Sequence, residues 1–148
     1  VFASLSSPPS DAEYVICDTF DMTNNPIHIT GVGTSTKTFK MGTPILYFRA
    51  NTAGLDISTS TATADRIYDY EDNKNLIVLG TVKDGTPHSD FTEMAVPKNF
   101  LTYIEDQTAS AGTRIRPVKP DSFLLISAGL DGIYGTTDDI CNFEQNIQ

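Results

Sequence analysis

The sequence predicts an α+β domain: a small antiparallel β-sheet, one clear helix and long loops. Three observations predict it. Residues 44–50 and 122–127 are short apolar runs rich in β-branched and aromatic side chains, each bounded by turn residues. Helical spacing recurs with any force only once, at about residues 97–107. The 10 glycines, 8 prolines and recurrent Ser and Thr suit loops better than a helical bundle. A chain of 148 residues fits one domain, residues 1–148, with length enough for a hydrophobic core.

Residues 1–5 read as the last turn of a helix whose earlier part is missing, stopped by Pro8 and Pro9. Residues 10–36 read as irregular and polar, with one short strand around Tyr14, Val15, Ile16 and Cys17. Residues 44–50 form a strand between Gly42 and the turn at 51–54. The Ser/Thr/Ala-rich stretch 55–64 reads as an exposed loop, and 67–70 as a short strand or turn. Residues 76–82 form a second strand candidate ended by Asp84 and Gly85. The helix at 97–107 starts at Pro97, carries Phe100, Leu101 and Ile104 on one face and stops near Gly112. Residues 114–120 are an extended approach to the strongest strand, 122–127. Tyr47, Phe48, Tyr68 and Tyr70 are expected in the core.

A net charge of −9 repels phosphate backbones, so nucleic acid is not an expected partner. No run is long and apolar enough to span a bilayer, and no basic–apolar–small leader opens the sequence. Cys17 and Cys141 lack the spacing and histidine company of a zinc site. They fit either one disulfide or two separate buried thiols. His28 and His88 lie in different polar regions, Ser127 is not in a nucleophile elbow, and no phosphate-binding loop is present. No enzyme activity is therefore expected.

The chemistry concentrates in residues 127–140. Asp131, Asp138 and Asp139 lie within nine residues, with Gly129, Gly132 and Gly135 at every third position. Glycines allow sharp reversals, so such a loop can aim carboxylates and carbonyl oxygens at one point. Calcium takes six to eight oxygen ligands and tolerates irregular geometry. The loop holds no thiolate or imidazole for a softer metal. It is not an EF-hand, because Ile133 follows Gly132 and Glu144 falls out of register. From spacing alone, a solvated acidic turn and a calcium site remain equally open.

The run Asp121-Ser122-Phe123-Leu124-Leu125-Ile126-Ser127-Ala128-Gly129-Leu130-Asp131-Gly132, continued by Gly135-Thr136-Thr137-Asp138-Asp139-Ile140 and Asn142-Phe143, resembles the C-terminal end of the major pseudopilin family of type II secretion, and of prepilin-like proteins that share it. Residues 42–48 and 67–69 resemble the same group more loosely. The resemblance implies one structural Ca2+ held by the side chains of Asp131, Asp138 and Asp139. It also implies carbonyl ligation near Ala128, Thr136 and Ile133. Leu130 stands where the family often has Pro, a change that removes no ligand. The family's cleavage site and long apolar N-terminal helix are not among the 148 residues. That helix would be the only membrane contact, packing on the sheet in the head.

The resemblance further implies an exported structural subunit of a type II secretion pseudopilus or type IV pilus-like filament. Its site would be periplasmic or on the cell surface, after anchoring in the inner membrane before assembly. Its partners would be other pilin or pseudopilin subunits in a homopolymer, with minor pseudopilins or secreted proteins as further contacts. The alternative is an exported calcium-stabilised adhesin or ligand-binding module.

Overall fold

Alternating burial along residues 46–49 sets the architecture. Leu46 and Phe48 are fully buried while Tyr47 and Arg49 are exposed, the period-two pattern of a strand with one face on a core. A computed structural model of the chain describes residues 2–4, 14–20, 27–30, 36–39, 42–58, 61–77, 91 and 100–145. Strands β1 (Phe2–Ser4) and β2 (Tyr14–Ile16) form one antiparallel pair, and β3 (Ile27–Thr30) and β4 (Thr36–Phe39) a second. The main sheet has three antiparallel strands in the order β5 (Leu46–Arg49), β6 (Phe123–Ser127) and β7 (Ile140–Cys141). Leu46 lies opposite Ile126, and Phe48 opposite Leu124, so four buried side chains share the inner face.

Among the described residues, two short α-helices accompany the sheet, α1 (Lys74–Ile77) and α2 (Phe100–Tyr103). The small antiparallel sheet with few helices is that of a small α+β fold. Phe100 anchors α2 in the core, its ring 4.7 Å from Phe48 and 5.7 Å from Phe91. Tyr103 crosses Phe91 edge-on at 4.7 Å and Phe143 at 5.9 Å. Such pairs each add about 0.5–1.5 kcal/mol beyond the area they bury. Ile57, Tyr68, Ile77, Ile104 and Tyr134 complete the core.

The edge of β5 away from β6 is not left open. Asp18 N donates to the Thr43 carbonyl at 3.0 Å, and Ile45 N to the Ile16 carbonyl at 2.8 Å. One step on, the buried Asn73 amide takes the place of a strand. Its Nδ2 donates to the Tyr47 carbonyl at 2.7 Å, and its Oδ1 accepts from Tyr47 N at 3.4 Å.

Several expectations change. Residues 2–4 are a strand paired with residues 14–16, not a helical turn. Residues 10–36 hold parts of two strand pairs, not one short strand. Leu76 and Ile77 belong to α1, not to a strand, and 78–82 lie outside the described residues. The stretch 55–64 is not wholly exposed: Asp56, Ile57 and Ser58 are buried, with Ile57 in the core. Residues 67–70 take the turn option, with Tyr70 opening a short 3-10 segment. The described helix is Phe100–Tyr103, with Pro97 outside the described residues. Gly112 sits in a separate turn bridged by Ala111 and Arg114, so it does not stop the helix. Phe48, Tyr68 and Tyr70 are in the core, while Tyr47 is half-exposed on the outer face.

Both cysteines are free thiols. Cys17 flanks β5 on one side, whereas β6 separates β5 from Cys141 on the other. Three interstrand steps amount to roughly 14 Å. A disulfide needs Cα atoms within about 7 Å, so this sheet order keeps the two apart. Among the described residues no helix is long and apolar enough to cross a membrane.

Candidate metal centre

Strand β6 delivers the chain to Ala128, which is fully buried, and the loop reverses at Gly129. Gly129 has φ +63°, and a Cβ there would lie 2.2 Å from the Asp138 carbonyl oxygen. Only glycine lets the two arms of the loop approach this closely. Asp138 then ties the arms together: its Oδ2 accepts from Leu130 N at 2.8 Å and Asp131 N at 3.0 Å. Its Oδ1 accepts from Thr136 Oγ1 at 2.5 Å. The Asp131 Oδ1 accepts from Ile133 N at 2.8 Å, and Thr136 Oγ1 also reaches the Ile133 carbonyl at 3.2 Å.

Three of its bonds help pin this loop to the rest of the molecule. The Tyr134 hydroxyl, fully buried, donates to the Pro44 carbonyl. Ser127 Oγ donates to Asp18 Oδ2 at 2.7 Å, and Thr43 Oγ1 donates to the same oxygen at 2.8 Å. Gly42 makes room for Asp18, since a Cβ there would sit 2.0 Å from its Oδ1. The third bond runs from the Tyr103 hydroxyl to Asp139 Oδ2 at 2.6 Å.

The three loop carboxylates do different work. Asp138 is exposed; burial pushes its carboxyl up, but the Thr136 hydroxyl and the Asp131 and Leu130 amides together outweigh it and hold it low. Asp131 is raised, first by partial burial and then by the charge of Asp138. Asp139 is 7% exposed. Burial pushes it up to about 6 against the bonds from Tyr103 and Gly135, and the charges of Asp131 and Asp138 push the same way. Asp139 Oδ2 accepts from Tyr103 and, at 2.8 Å, from Gly135 N, whereas its Oδ1 is buried without a hydrogen-bond partner.

Hydrogen bonds tie Asp131, Asp138, Thr136 and Ile133 together, whereas Asp139 bonds to Tyr103 and Gly135 and is coupled to Asp131 and Asp138 through their charges. Among the described residues, no three His, Cys, Asp or Glu side chains are already drawn together as a metal cage. The fit to a hard cation rests on the oxygen-only donors and on the buried Asp139 Oδ1, which, like Asp18 Oδ1, has no hydrogen-bond partner. Sequence reasoning missed Asp18 and Tyr103, which bond to Ser127 and Asp139 across 109 and 36 residues, and Thr43, which bonds to Asp18. No local pattern marks them. No family model, curated protein or solved structure matches the chain.

Proposed function

We propose that the chain is the head of an exported pseudopilin- or pilin-type filament subunit, with residues 127–140 ordered by one calcium ion. The filament reading is supported by the resemblance carried by residues 121–143. The metal reading is carried by one observation: Asp139, buried beside two other carboxylates, keeps a buried oxygen with no partner. A buried, unsatisfied carboxylate oxygen costs stability unless a cation compensates it. Asp131, Asp138 and Asp139 would hold the ion, with carbonyls near Ala128, Thr136 and Ile133. Bound there, calcium supplies positive charge that offsets the repulsion among the three carboxylates. The protein's part is to hold the loop closed through Asp138 and to fix its ends through Ser127, Tyr134 and Asp139. The result is a head with a reproducible surface for neighbouring subunits, and no reaction is assigned to it.

Thermal unfolding tests the metal reading. Calcium at 100 times its Kd stabilises a protein by about 2.7 kcal/mol when only the folded state binds. The melting temperature should rise with calcium in the wild type and stay flat in Asp139→Ala. Identical melting of verified metal-free and calcium-saturated wild type would sink it. The filament reading is tested separately, by cross-linking full-length gene product in cells: a regular ladder of copies supports it, and only monomers refute it.

One observation favours the second reading, an exported ligand-binding module. Tyr47 and Phe123 are half-exposed neighbours on the outer sheet face, with ring centroids 5.9 Å apart. Saturable carbohydrate binding lost in Tyr47→Ala would turn the assignment that way.

A further inference from the structure

Tyr103 joins the helical side of the core to the loop. Its ring is held edge-on between Phe91 and Phe143, so its hydroxyl has a fixed direction. That hydroxyl lies 2.6 Å from Asp139 Oδ2, 2.5 Å from Gln145 Oε1 and 3.2 Å from Cys141 Sγ. A phenol has one proton to give, and a bond to a carboxylate is roughly twice as strong as one to a neutral acceptor. Asp139 therefore holds it. With Gly135 N on the same oxygen at 2.8 Å, Oδ2 is fully engaged from two sides and Oδ1 alone is left.

We infer that Tyr103 is a positioning residue for the cation loop: its phenol turns the Asp139 carboxylate so that Oδ1 is the oxygen offered to calcium. The inference rests on the calcium reading above. Ligating carboxylates are oriented by partners outside the metal shell, and losing such a partner typically weakens metal affinity about 10–100-fold. Tyr103 fills that place from α2, which supplies no ligand itself.

Tyr103→Phe removes the hydroxyl and keeps the ring against Phe91 and Phe143. Calorimetric calcium titration of the whole chain should show binding about 10-fold weaker than wild type. In excess chelator the variant should melt only about 2–4 °C lower, as for one lost hydrogen bond. The Tyr103 ring resonances, assigned in wild type with isotope-labelled tyrosines, should shift along the same calcium curve. Equal calcium affinity in wild type and Tyr103→Phe overturns this inference and leaves the calcium reading standing. Absence of calcium binding by the wild type overturns both. Should Tyr103→Phe fail to fold, the wild-type resonances decide: ring signals unmoved at calcium saturation overturn the inference.

Discussion

Asp56 and Asp139 have similar surface exposure, 8% and 7%, but Asp139 is set deeper in the protein, and their loops treat the charge in opposite ways. Around Asp56, Oδ1 accepts from Ser58 N at 2.9 Å and from Thr61 Oγ1 at 2.5 Å. Burial alone would push this carboxyl up, but those bonds, aided by the charge of Arg114, hold it below its ordinary value. Around Asp139, burial wins and the carboxyl rises to about 6, with two more carboxylates nearby. The first loop folds itself with hydrogen bonds. The second spends its hydrogen bonds on closing Gly129 against Asp138 and leaves negative charge over. A Ser- and Thr-rich loop thus builds a finished turn in one place, and a Gly- and Asp-rich loop a receptive one in the other.

The largest expected effect comes from the closure of the receptive loop. Gly129→Ala meets both a left-handed backbone and an oxygen 2.2 Å from the new Cβ, so it should cost about 3 kcal/mol or more in denaturant unfolding. Gly112→Ala is the control: its φ is +61°, but nothing lies within 4 Å. Backbone strain alone should cost about 1–2 kcal/mol there. Equal losses at the two glycines would show that the close approach to Asp138 does not matter.

Next come the two aspartates. Asp56→Ala should destabilise by about 1–3 kcal/mol, because buried donors lose their acceptor. In excess chelator, Asp139→Asn should be neutral or stabilising by about 1 kcal/mol, since it removes a buried charge and keeps an acceptor for Tyr103. The same variant should not respond to calcium. Destabilisation of equal size by both substitutions would break the contrast. The smallest effect is in acid. Because the folded Asp56 carboxyl lies below its ordinary value of 3.8, its contribution is complete above that pH. It is lost as pH falls through the lower, folded value. Asp56→Asn should therefore flatten the stability profile of the whole chain below about pH 4. An unchanged acid limb would remove Asp56 from the account.

Strand β6 was legible because Phe123, Leu124, Leu125 and Ile126 form an apolar run between a proline-containing approach and a glycine-rich loop. Strand β5 was legible for similar reasons. Leu76 and Ile77 were not, because the short apolar run 76–79 satisfies strand and helix periods alike. Ile57 was hidden by its Ser and Thr neighbours, since composition reports a segment and not the direction of one side chain. Residues 2–4 became a strand only through partners at 14–16, a pairing that local pattern does not encode. At the candidate site the aspartates and glycines announced themselves by spacing. Their supports, Asp18 at Ser127 and Tyr103 at Asp139, are products of chain return.

Asn73 has a consequence beyond local hydrogen bonding. A sheet margin with free amides and carbonyls recruits foreign chains, and that is how ordered aggregates start. Here Tyr47 has both backbone groups answered by one buried side chain, and the neighbouring stretch is answered by Ile16 and Asp18. A stray strand arriving at Tyr47 finds its amide and carbonyl already taken. One carboxamide thereby acts as a stopper at this margin of the three-stranded sheet.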